Sequence, residues 1–184
     1  METSLTWLGR LVSSPSDPDW RRLTDVYAPL VDDWLGRLGV PATDRDDLVQ
    51  EVLVVVVRRV GEFDRRGPGS FRAWLRGILA NRARKYFRDR PRRSEFDPDH
   101  LTDDGSELAA RWDREHDEYF AARALRAVEG DFAPATWEAF RLQVFDGRKA
   151  ADVAAELGLS LNSVLLAKSR VLKRLREELA GLVE

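Results

Sequence analysis

Thr43–Val60, TDRDDLVQEVLVVVVRRV, is the segment on which the fold turns. From Val52 to Val57 every residue except Leu53 is β-branched, the composition of a strand. The flanks belong to a helix. Thr43 or Asp44 can cap its start, Asp46 and Asp47 put acids in the first turn, and Arg58 and Arg59 put cations in the last. Gly61 follows as a C-terminal cap. No other segment has a strand pattern, and a strand without a partner is not viable. The segment is therefore assigned to a helix, and the chain to the all-α class.

Downstream, the loop Glu62–Gly69 (EFDRRGPG) leads into Ser70–Arg93, SFRAWLRGILANRARKYFRDRPRR. Phe71, Trp74, Leu75, Ile78, Leu79, Arg82, Tyr86 and Phe87 recur at steps of three and four, one stripe on a helix of about five turns. Arg72, Arg76, Arg84, Lys85 and Arg88 fall on the other face. Ser70 is the expected N-cap and Pro91 the stop. Aromatics interleaved with arginines suit a polyanion with stackable bases. A solvated basic face on an ordinary core helix fits this segment equally well.

Upstream, Asp19–Leu38 carries a broad helical stripe. Pro29 inside it predicts a kink or break near Ala28. Residues 1–18 form an N-terminal arm or short docking helix, and 19–93 form the first helical domain. After Arg93 the chain turns acidic. Residues 94–117 contain Glu95, Asp97, Asp99, Asp103, Asp104, Glu107, Asp113, Glu115 and Asp117. We read them as a solvated acidic linker; the competing reading folds Glu95–Glu118 back over the basic helix as a shield. A helical pattern with Trp112, Tyr119, Phe120, Leu125 and Val128 begins at Ala109 and runs to Glu129. Residues 118–184 form a second helical domain. In it, a short helix Ala150–Leu157, the turn Gly158-Leu159-Ser160 and a longer helix capped by Asn162 follow the helix-turn-helix plan. The longer helix is basic on its outer face at Lys168, Arg170, Lys173, Arg174 and Arg176. Such a helix projects its N-terminal residues into a major groove while its cations meet phosphates.

Composition bounds the function. The chain has 184 residues, 43% hydrophobic and 34% charged, with a net charge of −2. That near-neutral total hides the basic run followed by the acidic one, so the pattern carries more than the sum. The absence of cysteine excludes disulfides and thiolate metal sites. His100 and His116 stand alone, so no metal is expected. No nucleophile–base pair and no Gly-rich phosphate loop is visible, so neither catalysis nor a cofactor is expected. No signal peptide is apparent, and Val52–Val57 is too short to span a bilayer, so no membrane insertion and a cytoplasmic location are expected.

Asp44-Arg45-Asp46-Asp47-Leu48-Val49-Gln50-Glu51-Val52, Phe63-Asp64, Ser70-Phe71-Arg72-Ala73-Trp74-Leu75 and Ile78-Leu79-Ala80-Asn81 followed by arginines form a familiar series. Together with Asp152-Val153-Ala154, Leu157-Gly158-Leu159-Ser160 and Ser163-Val164, it resembles the bacterial sigma-70-family RNA polymerase sigma factors of the two-domain, extracytoplasmic-function type. The resemblance covers nearly the whole chain. It implies region 2 over 19–93 and a region 4 helix-turn-helix over 118–184.

The same resemblance implies roles. RNA polymerase core would be the partner, through its clamp helices and flap, with Asp47, Leu48, Gln50 and Glu51 docking on the clamp helices. Phe63, Arg65, Arg66, Asn81, Arg82, Arg84, Lys85 and Arg88 would meet the melted minus-ten element of promoter DNA, where a flipped base needs a polar pocket. Trp74, Tyr86 and Phe87 are assigned to the core. Ser160, Asn162, Ser163, Lys168, Arg170, Lys173 and Arg174 would read the minus-35 element. An anti-sigma factor is a further candidate partner. The family's run after the turn is TVKSR; here Leu165-Leu166-Ala167 precede the first cation, Lys168. The alternative is a stand-alone helix-turn-helix regulator of duplex DNA, which would have no use for the Asp44–Glu51 run.

Overall fold

The computed structural model describes residues 9, 11, 16–64, 70–89 and 98–180. Among them are seven α-helices, two short 3-10 turns and no strand. The helices are α1 (Asp17–Arg37), α2 (Ala42–Arg59), α3 (Ser70–Asp89), α4 (Glu107–Glu129), α5 (Pro134–Val144), α6 (Ala150–Leu157) and α7 (Leu161–Ala180). The 3-10 turns are Val60–Glu62 and Pro98–Leu101. The chain divides into two compact units, one up to Tyr119 and one from Phe120. No single helix among the described residues is long and apolar enough to cross a membrane.

The valine run is helical. Leu48, Val49, Val52, Leu53 and Val56 are buried, at steps of one, three and four, and Val54 and Val57 are exposed. A half-buried strand would have alternated instead. The helix begins two residues before Asp44, with Pro41 at the N-cap. Asp44 therefore sits in the first turn, where its carboxylate accepts from the Tyr86 hydroxyl at 2.5 Å and ties α2 to α3.

The break expected at Pro29 does not occur: α1 runs through it without interruption. Proline lacks an N–H, so the helix loses one donor at that turn. The hydroxyl of Tyr119, from α4, donates to the neighbouring Val26 carbonyl at 2.9 Å. The carbonyl left without a helical donor is that of Asp25, and the Tyr119 bond braces α1 one residue further on. Of the arm expected at 1–18, residues 9, 11 and 16–18 are described, and Leu11 is fully buried.

Two expectations are corrected. Residues 94–117 are not a solvated linker wherever they are described. Leu101 is buried in the second 3-10 turn, and the first half of α4 buries Ala109, Trp112 and His116, spaced by three and four. The Trp112 ring meets that of Trp34 edge-on, 5.1 Å between centroids. The helical period placed Trp112 on an apolar stripe, but it did not give the surface that covers it, which is Trp34.

Arg76 is the other correction. Periodicity put it on the outer face of α3, yet it is 4% exposed. Its guanidinium pairs with Asp104 and, at 3.1 Å, with Asp113. Arg72 holds Asp113 at 3.3 Å and Asp117 at 2.5 Å. A buried cation requires such partners, because an unpaired charge out of water is costly. Asp99, Asp104, Asp113 and Asp117 are therefore counter-charges of α3.

In the second unit, Ala139, Leu142, Val153, Ala154, Val164 and Ala167 form one core cluster, and Ala124, Val128, Phe140, Val171 and Leu175 another. Gly158 at φ 64° closes α6 in the left-handed conformation that glycine adopts without strain. After it, α6 and α7 bend by 110°, within the helix-turn-helix range. Gln143 is buried and its side-chain amide donates to the carbonyls of Ala139 at 2.8 Å and Val164 at 3.0 Å. It clamps α5 to the first turn of α7, so the turn geometry is held by a polar bond as well as by apolar contact.

Candidate nucleic-acid interface

In the first unit the expected cations line the later half of α3, with unequal freedom. Lys85 is exposed and forms no ion pair among the described residues. Arg88 is exposed, 3.7 Å from Asp89. Arg82 lies 3.6 Å from Glu51 of α2. Arg84 is the most engaged: it donates to the Asn81 side-chain oxygen at 2.5 Å and the Thr102 hydroxyl at 2.6 Å, and it pairs with Asp99. Asn81 is exposed, and its oxygen is taken by Arg84 in this state. Arg65 and Arg66 lie outside the described residues.

Phe63 does not stand alone as a base-stacking platform. Its ring packs edge-on against Phe71 at 5.5 Å and tilted against Trp74 at 5.3 Å. The cluster anchors the loop entrance on α3 and leaves Phe63 half-buried. Trp74 belongs to this cluster, as expected from its place on the apolar stripe.

The docking candidates on α2 divide as well. Asp47, Gln50 and Glu51 are exposed, whereas Leu48 is buried between the helices and only edges the cavity beside them. Asp47, Leu48 and Glu51 share a cavity of about 310 Å³ with Asp44, Arg82, Lys85, Tyr86 and Asp89. The acids expected to meet the polymerase and the cations expected to meet DNA thus line one seam between α2 and α3. Sequence separates them by about thirty positions; helix pairing joins them through Glu51 and Arg82. Asn81 does not line this cavity.

In the second unit, Ser160 rather than Asn162 caps α7. Its hydroxyl oxygen accepts from the Ser163 N–H at 3.1 Å and lies 2.8 Å from the Ser163 hydroxyl. Asn162 is left exposed inside the first turn. Lys168 and Arg170 are exposed and form no ion pair among the described residues. Lys173 is exposed, 4.0 Å from Glu177. Arg174, half-exposed, pairs with Glu178 at 3.0 Å and Asp131 at 2.8 Å, which raise its pKa and tie α7 to the turn after α4. Asp99 belongs to the acidic run that the shield reading folds over the basic helix, whereas nothing in the sequence pattern identified Thr102 or Gln143 as residues that hold these surfaces in place.

Residues 23–93 match the model of Sigma-70 region 2. Over 134 residues the chain is 33% identical to the RNA polymerase sigma factor CnrH of Cupriavidus metallidurans, covering 68% of each protein. The chain belongs to the sigma-70 family of RNA polymerase sigma factors. It is of the extracytoplasmic-function type: the ECF RNA polymerase sigma factor SigE of Mycolicibacterium smegmatis is 28% identical over 166 residues, 89% of this chain and 62% of SigE. The solved structure of CnrH in complex with the cytosolic domain of CnrY aligns over 94% of both chains, at 26% identity and a TM-score of 0.40. The region 2 match of this sigma factor ends at Arg93, whereas its first compact unit extends to Tyr119, through the acidic segment.

Proposed function

We propose that this sigma factor docks on RNA polymerase core through Asp47, Gln50 and Glu51, reads the minus-35 element with α7, and holds the melted minus-ten strand against α3. It performs no chemistry of its own. The observation that carries this reading is the α2–α3 seam, where exposed acids suited to a basic partner adjoin cations suited to a strand backbone. Run-off transcription with core polymerase and a promoter library tests it, and failure to initiate at any site overturns it. An anti-sigma factor is part of the same proposal, since the relative CnrH was solved with the cytosolic domain of CnrY.

Arg84→Ala combined with Lys85→Ala is expected to lower promoter opening about tenfold or more, the scale of losing two charged hydrogen bonds. Core affinity is expected to stay unchanged. Opening is read by permanganate reactivity, core affinity by co-purification.

Asp99 neutralises part of the charge that Arg84 would offer a phosphate, so this ion pair competes with DNA. Asp99→Asn is expected to strengthen binding of the free sigma factor to single-stranded minus-ten DNA about two- to fivefold, the scale of one exposed ion pair. Unchanged binding, measured by fluorescence anisotropy at fixed salt, would show that this contact does not restrain Arg84.

A further inference from the structure

We propose that Leu165 and Leu166 recognise thymine methyl groups in the major groove of the upstream promoter element. The inference rests on the reading that α7 enters duplex DNA, and it names what the helix reads there. The rotation of α7 is set by its buried residues, Val164, Ala167, Val171 and Leu175. The opposite stripe is Asn162, Leu165, Leu166, Ser169 and Lys173, spaced by three, one, three and four. Leu165 is 51% exposed and Leu166 42%, in the second turn after the bend.

Scattered exposed leucines are ordinary, but two adjacent ones at the centre of a groove-facing stripe are not neutral in what they can read. Leucine neither donates nor accepts a hydrogen bond, so it cannot recognise the O6 and N7 edge of guanine or the N7 and N6 edge of adenine. The one apolar group that a base pair presents in the major groove is the C5-methyl of thymine. Lys168 and Arg170, without ion pairs among the described residues, stand beside the leucines where phosphate strands pass. That cationic rim around an apolar centre favours DNA over an apolar protein partner. Asn162 and Ser169 remain as polar readers on the same stripe.

Uracil differs from thymine only by the missing methyl, so it isolates this contact. The full chain with core polymerase is tested by run-off transcription and filter binding on a promoter taken from the library. Each upstream-element thymine is replaced by uracil in turn. At contacted positions the unmodified sigma factor is expected to lose about fourfold in occupancy per methyl removed, the burial scale of one such group. Leu165→Ala and Leu166→Ala, which fold normally because both side chains are exposed, are expected to bind thymine and uracil promoters alike. Lys173→Ala is expected to weaken both equally.

Equal binding of thymine and uracil promoters by the unmodified protein overturns the inference, as does an upstream element of G·C pairs only. If base-pair changes there still matter, α7 reads DNA by other groups and the proposed function stands. If scrambling the upstream element changes nothing, the role proposed for α7 fails as well. Loss of a protein partner rather than of promoter occupancy in the leucine variants also overturns the inference.

Discussion

Replacing Trp112 with alanine is expected to destabilise the first unit by about 3–5 kcal/mol, the range for deleting a buried indole. Trp112 has no solvent exposure, and neither has Trp34, whose ring it meets at 5.1 Å. The deletion leaves a cavity that Trp34 lines, beside His116 with its ring centroid 6.4 Å from that of Trp112. Since small domains carry only about 5–15 kcal/mol of stability, a loss of this size removes much of the total. Urea unfolding followed by tryptophan fluorescence measures it. Trp34→Ala with Trp112→Ala should cost less than the sum of the two, because the rings share one contact. A chain ending at Arg93 should behave like the single variant or worse, since it lacks all of α4 along with Leu101. Cooperative folding of that fragment at full stability would show that α4 is dispensable to the first unit.

Acid should destabilise the same region through His116. The imidazole is buried between Tyr27, 6.2 Å away by ring centroid, and Trp112. Burial, the largest influence, pushes its pKa from 6.5 down to about 4, and the charge of Arg72 adds to that. Asp117, 3.4 Å from the ring, and Asp113 pull the other way. The unfolded chain therefore takes up a proton that the folded chain refuses. Stability is fully present above about pH 6.5, falls as pH drops through the window, and is diminished by about 3 kcal/mol below pH 4. His116→Phe keeps the ring and removes the titration. Its unfolding free energy between pH 6.5 and 4 should be flatter than that of the unmodified chain by this amount. Parallel curves would show that the ring is protonated equally in both states.

Local chemistry carries the parts of the design that neighbours in sequence decide. The helical state of Val52–Val57 followed from acids before it and cations after it, which act within one turn. The turn at Gly158 and the two helices around it were legible for the same reason, because a left-handed residue needs only adjacent atoms, although the cap of α7 is Ser160 and not the expected Asn162. So was the apolar stripe of α3.

Tertiary structure alone decided which charges are free. Arg72 meets Asp117 across 45 positions, Arg76 meets Asp104 across 28, and Tyr86 meets Asp44 across 42. A helical period gives a charge its face but not its partner, so Arg76 and Arg174 read as surface cations while the fold gave them counter-ions. It likewise did not show that Leu48, alone among the docking candidates, is largely buried. For the acidic segment the solvated-linker reading failed and the competing one, acids folded back onto the basic helix, describes Asp99, Asp104, Asp113 and Asp117. The burial of Ala109, Trp112 and His116 becomes visible only when Trp34 stands opposite them. Partner choice is a matter of distance in space, and that information arises only once the helices have packed.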